Sequence, residues 1–457
     1  MITRRIMRCL AVLLICSPPA QVRAQTRQPD FSTLDQVVRE EMKARRTPGA
    51  ALVVVLGDRV VYAKGYGVTS VESGDAVTPD TLFRLGSTTK MFTAAALVTL
   101  AERGKLKLDA PLGETVPGLH PSLARVTAHQ LLSQSAGLRD FASPIISQDD
   151  DALGRNVRSW KEDVFFTEPG RIYSYSSPGY WLAGFVSETV YGKPYADALE
   201  ELLFKPLEMR RTTLRPLAAM TYPLAQGHNI ENDQPVVVRP LYNNTAMWPG
   251  GSIFSSANDL ARFVLAFLND GKLDGKQALL PQVTAKLPAR QMTMPGDDAT
   301  WYGYGLMSYE TRGVRLAAHG GASRGYGSTI ETIPAQKYGI AVLTNKSGET
   351  LPQSRLKAME LLAALQPDKE EAPRNLPLTA DELRDYAGVY SHAPQTWEVF
   401  SKDGKLFLKQ ERTEFALTKT GPRSFAYEQG EIVFVAGADG RTEHLFMGLY
   451  AARKQTK

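Results

Sequence analysis

Cysteine is the scarcest chemistry in this 457-residue chain: there are two, Cys9 and Cys16, both near the N-terminus. Beyond them the sequence offers no disulfide, no thiol nucleophile and no thiolate metal site. Histidine is sparse too, six in all, and none falls in an H-E-x-x-H or other paired spacing, so no metal is implied. No fixed-period repeat is visible. The one basic apolar run, at the N-terminus, is too short to span a bilayer.

That N-terminal stretch, residues 1–24, reads as an export signal. Arg4, Arg5 and Arg8 form a basic region, Cys9 to Cys16 an apolar core, and Val22-Arg23-Ala24 an A-x-A-like cleavage site. Met7 and Arg8 depart from a twin-arginine pattern, which favours the general secretory route. Ile15 is bulky for lipid attachment at Cys16. Removing 24 of the 457 residues leaves 433, with 49 Lys+Arg against 48 Asp+Glu, so all but one unit of the net charge of +5 belongs to the leader. Nothing then suggests nucleic acid, and a periplasmic or secreted protein is expected.

The remaining length suits one large domain, residues 25–365, and a small one, 379–457. Between them, 366–378 is rich in proline and charge, the composition of a linker. The small domain reads as an antiparallel sheet or barrel: Thr396 to Ser401 and Leu406 to Leu408 flank an Asp403-Gly404 turn, and Asp439-Gly440 lies between Ile432 to Val435 and His444 to Met447. The large domain opens with a hairpin, Ala51 to Leu56 and Arg59 to Tyr66. Strand patterns recur near its end, at Gly327 to Ile333 and Tyr338 to Thr344, with mostly helices and loops between. Strands first and last imply an α+β sheet joined from both chain ends.

The chemistry centres on Leu85-Gly86-Ser87-Thr88-Thr89-Lys90. Ser87 and Lys90, three apart at a helix start, share a face. A serine hydroxyl needs a base within reach to act as nucleophile, and a desolvated lysine can be that base. The helix that follows, Met91 to Leu100, is apolar on every side and therefore belongs inside a domain. Ser354-Arg355-Leu356-Lys357 repeats the spacing, but on a helix whose Arg355, Lys357 and Glu360 mark a solvated face, so it is expected to be structural. Three more segments supply partners: Leu132 to Leu138, the loop Pro169 to Tyr180 with Tyr175 and Ser177, and Ala318-His319-Gly320-Gly321-Ala322.

In order, spacing and flanks (Trp248-Pro249-Gly250-Gly251, Tyr302-Gly303-Tyr304-Gly305), these segments resemble the serine β-lactamase and penicillin-binding family. The likeness is to its branch of class C β-lactamases and D-aminopeptidase-like Ser-x-x-Lys hydrolases, over Phe31 to Leu365. The resemblance implies a β-lactamase/transpeptidase-like domain, with a central antiparallel sheet, flanking helices and a helical region. It also implies a small β-barrel module at the C-terminus. By motif, Ser87 is the acylated nucleophile, Lys90 its general base or relay, and Tyr175 a proton carrier to the leaving group. The backbone N–H groups of Ser87 and Ala322 form the oxyanion hole, while Ser177, His319, Gly320 and Gly321 bind substrate. No metal or organic cofactor is implied. Two positions depart from the lactamases: Ser177 replaces asparagine, and His319 replaces a lysine that attracts the substrate carboxylate. The reading is an exported serine hydrolase of small amides, peptides or esters, more a D-amino-acid peptidase or esterase than an efficient β-lactamase. The alternative is a non-catalytic cell-wall or acyl-ligand sensor on the same fold.

Two decoys fall away. Gly321-Ala322-Ser323-Arg324-Gly325 fits a nucleophile elbow but leads into a strand, not a helix. The acidic run Asp149-Asp150-Asp151 reads as a solvated loop.

Overall fold

The computed structural model describes residues 30–368 and 374–455; the 1–24 leader and the middle of the 366–378 stretch lie outside them. Helix α1 (Ser32–Arg45) precedes the hairpin β1 (Gly49–Leu56) and β2 (Arg59–Gly67). The sheet resumes with β3 (Met292–Met294), β4 (Asp297–Tyr302), β5 (Met307–Thr311), β6 (Val314–Ser323), β7 (Tyr326–Ile333) and β8 (Tyr338–Thr344). The eight strands run in the order β2-β1-β8-β7-β6-β5-β4-β3, every neighbouring pair antiparallel. The first hairpin thus joins the last strands, with Val53 opposite Ala341. Three strands, β3 to β5, are not apparent in the sequence: they are short and carry no clear alternation.

Period-two alternation along β1 divides the domain into two cores. Ala51, Val53 and Val55 face a large helical layer, whereas Ala50, Leu52 and Val54 face a smaller one built on α1 and a late helix. The large layer holds α2 (Thr89–Glu102), α3 (Ser177–Tyr191) and α4 (Ala257–Leu268). Every residue of α2 from Thr89 to Leu100 is buried, as its all-round apolar surface requires.

The late helix, α5 (Pro352–Leu362), carries the second Ser-x-x-Lys. Its first turn is held by Glu41 of α1, whose carboxylate accepts from Gln353 N–H, Ser354 N–H and the Ser354 hydroxyl at 3.0, 2.8 and 2.7 Å. Ser354 is therefore a structural group, as expected. Arg355 corrects the reading of a wholly solvated face: it turns inward, pairs with the buried Glu331 and lines the central cleft. The acidic run lies in an exposed turn, as expected, with Asp149 paired to Arg155 and Asp150 to Arg215 at the surface.

After a short helix α6 (Ala380–Tyr386), the C-terminal domain is a closed antiparallel barrel. Its strands are β9 (Gly388–His392), β10 (Gln395–Lys402), β11 (Lys405–Gln410), β12 (Thr413–Lys419), β13 (Ser424–Tyr427), β14 (Gly430–Ala436), β15 (Thr442–Met447) and β16 (Tyr450–Lys454). Inward side chains such as Tyr390, Trp397, Leu408, Phe434 and Leu445 pack together, as they do in small barrels. Tyr386 stacks on Phe434 at 4.4 Å between ring centroids.

Glu41→Gln weakens the charge-assisted cap on α5 by about 2 kcal/mol. A thermal melt of this variant is expected to fall several degrees below wild type, with the far-ultraviolet dichroism at 20 °C unchanged (about room temperature). An unchanged melt would show that the cap contributes nothing.

Candidate active site

Ser87 lies in a 3-10 turn, Gly86–Thr88, which runs directly into α2. This local geometry follows from Gly86, whose φ of +54° is in the left-handed region. It also follows from close approach: a Cβ on Gly86 would stand 2.7 to 2.8 Å from the backbone of Ala322. Gly321 is the reciprocal contact, where a Cβ would meet Leu85 O at 1.9 Å. Both glycines are needed for β6 to lie against the serine turn. The Thr88 hydroxyl, 2.8 Å from Ser328 Oγ, and Ser328 Oγ donating to Leu85 O at 2.5 Å tie the turn to β7.

Beyond the pair Met307–Ala318, β5 leaves β6, so residues 319–323 keep β7 on one side and an open edge on the other. The edge borders a cleft of about 470 Å³ lined by Ser87, Tyr173, Tyr175, Tyr302, His319, Gly320, Gly321, Ala322 and, from the barrel, Leu449. All eight residues singled out in the sequence therefore converge except that Lys90 and Ser177 sit just beneath the cleft floor.

Lys90 is completely buried. Its Nζ lies 2.7 Å from Gly250 O, 3.3 Å from Ser87 Oγ and 3.4 Å from Ser177 Oγ, and 4.8 Å from the Tyr175 ring centroid. Burial pushes its pKa down to about 7, against the opposing pull of the Asp140 carboxylate. Near neutral pH Nζ therefore has a lone pair available, and the Ser87 hydroxyl can donate to it. Tyr175 is 8% exposed; burial raises its phenol pKa, while the Ser87 hydroxyl beside it acts in the other direction.

His319 is fixed by two hydrogen bonds. Nδ1 donates to Gly320 O at 2.6 Å, which leaves Nε2 to accept from Tyr302 Oη at 3.1 Å. Burial, and then the Lys90 charge, lower its pKa to about 3. The imidazole is neutral at every physiological pH.

Sequence reasoning missed Asp140, Tyr302 and the barrel contribution. Asp140 Oδ1 accepts the Ser177 N–H at the start of α3, at 2.9 Å. No motif announces it, because its role depends on a chain reversal between Leu138 and Ser177. Tyr302 belongs to the Tyr302-Gly303-Tyr304-Gly305 segment, yet nothing in the sequence pairs it with His319.

A family model described as Beta-lactamase matches residues 34–364. The chain belongs to the β-lactamase family. Penicillin-binding protein 4 of Amycolatopsis lactamdurans is 31% identical over 321 residues, covering 67% of this chain and 84% of that protein. Among solved structures, SurE, also solved with D-Leu, superposes with a TM-score of 0.75 at 23% identity over 93% of this chain and 98% of its own. A class C β-lactamase gives 0.62 at 23% identity, over 74% and 97%. At these identities both structures speak for the fold alone. The β-lactamase/transpeptidase fold is thus established here, with a closed barrel appended, in a family of serine hydrolases.

The His319 geometry has a direct spectroscopic consequence. Long-range proton–nitrogen correlations, assigned through His319→Asn, are expected to show the Nδ1–H tautomer with no titration between pH 5 and 8. A His319 signal that titrates near 6.5, the ordinary value, would overturn this assignment.

Proposed function

We propose that this chain is an exported serine hydrolase that works through a Ser87 acyl-enzyme on small amide, peptide or ester substrates. The observation that carries the proposal is the Ser87–Lys90 pair: a hydroxyl 3.3 Å from an amine that burial brings to about pH 7. Lys90 Nζ takes the Ser87 proton as Oγ attacks the carbonyl carbon. The carbonyl oxygen becomes the oxyanion, held by the Ser87 and Ala322 N–H groups. Tyr175, between Lys90 and the cleft, returns the proton to the leaving amine or alkoxide. A water then attacks the acyl carbon with the same groups acting in reverse, freeing the acid and Ser87. The apolar-then-cleavable 1–24 segment supports export.

Substrate preference follows from charge. Neutral His319 leaves no cation at the strand position where the lactamases carry lysine. Ser177 presents its hydroxyl to Lys90, not an amide to the cleft. Both weaken the recognition of an acylamino carboxylate of the β-lactam type. D-amino-acid peptides and esters are therefore the favoured class, in keeping with the D-Leu complex of SurE.

The test is intact-mass spectrometry after exposure to a penicillin, a short-chain aryl ester and a D-amino-acid amide. Wild type is expected to gain an acyl mass from the ester or the amide, and Ser87→Ala none. Tyr175→Phe should slow turnover of the amide more than of the aryl ester, whose leaving group needs no proton. Acylation rate should rise with pH through about 7, since only the neutral amine of Lys90 accepts the proton. Gly321→Ala, which displaces β6, is expected to lower kcat by about 100-fold, the scale of one lost oxyanion donor. If no acyl adduct and no turnover depends on Ser87, the reading ends in favour of a binding protein.

A further inference from the structure

The barrel meets the catalytic domain along one seam, and that seam runs to the catalytic residues. The turn between β15 and β16 carries Leu449, which lines the cleft and whose carbonyl accepts the Tyr175 N–H at 2.9 Å. The next residue, Tyr450, donates its hydroxyl to Asp140 Oδ2 at 3.1 Å and sets its ring edge-on to Tyr175. Ala451 N–H donates to Ser174 Oγ at 3.1 Å. From β9, His392 donates through Nδ1 to Ala451 O at 2.7 Å, so its Nε2 accepts the Asp140 N–H at 3.2 Å.

Asp140 is thus held from two sides. Its Oδ2 and its N–H face the barrel, while Oδ1 accepts the Ser177 N–H at the α3 N-terminus. A carboxylate is at its most favourable there, facing unpaired N–H groups and the positive end of the helix. Ser177 in turn touches Lys90 Nζ through its hydroxyl. We infer that the barrel is a working part of the catalytic centre: Tyr450 and Asp140 are positioning residues that hold the start of α3, and with it Lys90 and Tyr175, in register for acyl transfer.

The inference rests on the proposed Ser87 chemistry and adds a component to it. Electrostatics supports the geometry. The groups facing Lys90 are Ser87 on its own turn, Tyr175, Ser177 and Tyr180 around the start of α3, the Gly250 carbonyl, His319 on β6, and Asp140. Asp140 is the carboxylate that acts on the Lys90 ammonium, and its charge stabilises the protonated form. A merely structural Asp140 would leave no mark on the pH dependence of the reaction.

The experiment uses the full-length chain and an aryl ester, comparing wild type, Asp140→Asn and Tyr450→Phe. Asp140→Asn keeps an acceptor for Ser177 N–H but removes the charge. The acidic limb of kcat/KM is expected to move to lower pH, because Lys90 loses the group that favours its ammonium. Tyr450→Phe keeps the ring and the Leu449 contact. It is expected to lower kcat about tenfold with little change in KM, the scale of a lost hydrogen bond to a charged group. The double variant is expected to be no slower than Asp140→Asn alone, because both act through one contact. If Asp140→Asn does not fold, Tyr450→Phe carries the test. A Tyr450→Phe effect confined to KM, or an unmoved acidic limb in Asp140→Asn, overturns the inference. So does wild-type behaviour in both variants. A wild-type chain that forms no Ser87 adduct overturns the proposed function itself, so the two failures are distinguishable.

Discussion

A lysine amine held out of water is the constraint around which this molecule is built. In water Lys90 would be a protonated ammonium and useless to a neighbouring hydroxyl. Its burial is imposed by α2, which contacts the rest of the domain on every side. Removing an ammonium from water costs several kcal/mol unless it is paired or neutralised. Here the pairing is partial: one carbonyl at 2.7 Å, two hydroxyls at longer range, and a carboxylate that acts from beyond hydrogen-bond distance. That partial compensation leaves the amine balanced between its two protonation states, where proton transfer in either direction is inexpensive. Full pairing with an adjacent carboxylate would hold the ammonium charged, and a fully apolar site would remove the incentive to accept a proton at all.

The sheet has to satisfy a second requirement, close approach without contact between side chains. Strand β6 lies against the serine turn because Gly86 faces the Ala322 backbone and Gly321 faces Leu85 O, where any Cβ would collide. The departure of β5 after Met307 then leaves the 319–323 edge open toward the cleft. An unpaired strand edge is ordinarily a hazard for aggregation. Here it is recessed in a cleft between the sheet, the helical layer and the barrel turn, so a short extended ligand can reach it more readily than another folded chain.

Local chemistry was legible in the sequence; long-range assembly was not. The Ser87–Lys90 spacing, the all-apolar α2 and the Gly-rich β6 each announce their own geometry, because helix periodicity and glycine sterics act over a few residues. The first hairpin, the last two strands and the Asp-Gly turns of the barrel were readable for the same reason. Arg355 misled because a charged residue at helical spacing looks solvated until its partner is known, and that partner, Glu331, is on a strand of the sheet. Asp140 and Tyr450 are 310 residues apart and meet only through domain docking, a contact no local pattern encodes. Strand β3 is three residues long, β4 begins with three exposed positions and β5 is mostly half-buried, so none of them declares a buried face.

The electrostatics of the cleft argues more about substrate than the family name does. The His319 imidazole is neutral and already committed through both nitrogens, to Gly320 O and to Tyr302. The cation that lines the far part of the cleft, Arg355, is neutralised by Glu331. A substrate carboxylate entering this cleft therefore meets no free positive charge among these two positions. To use Arg355 it would have to displace a buried carboxylate and leave Glu331 unpaired, at a cost of several kcal/mol. Around Ser87 the walls are instead aromatic, formed by Tyr173, Tyr175 and Tyr302, and Leu449 adds an apolar contact from the barrel. Such a surface suits uncharged or apolar groups beside the Ser87 hydroxyl better than charged ones. A buried lysine beside a serine hydroxyl thus opens onto a charge-quiet, aromatic cleft, and the proposed substrate preference rests on that pairing.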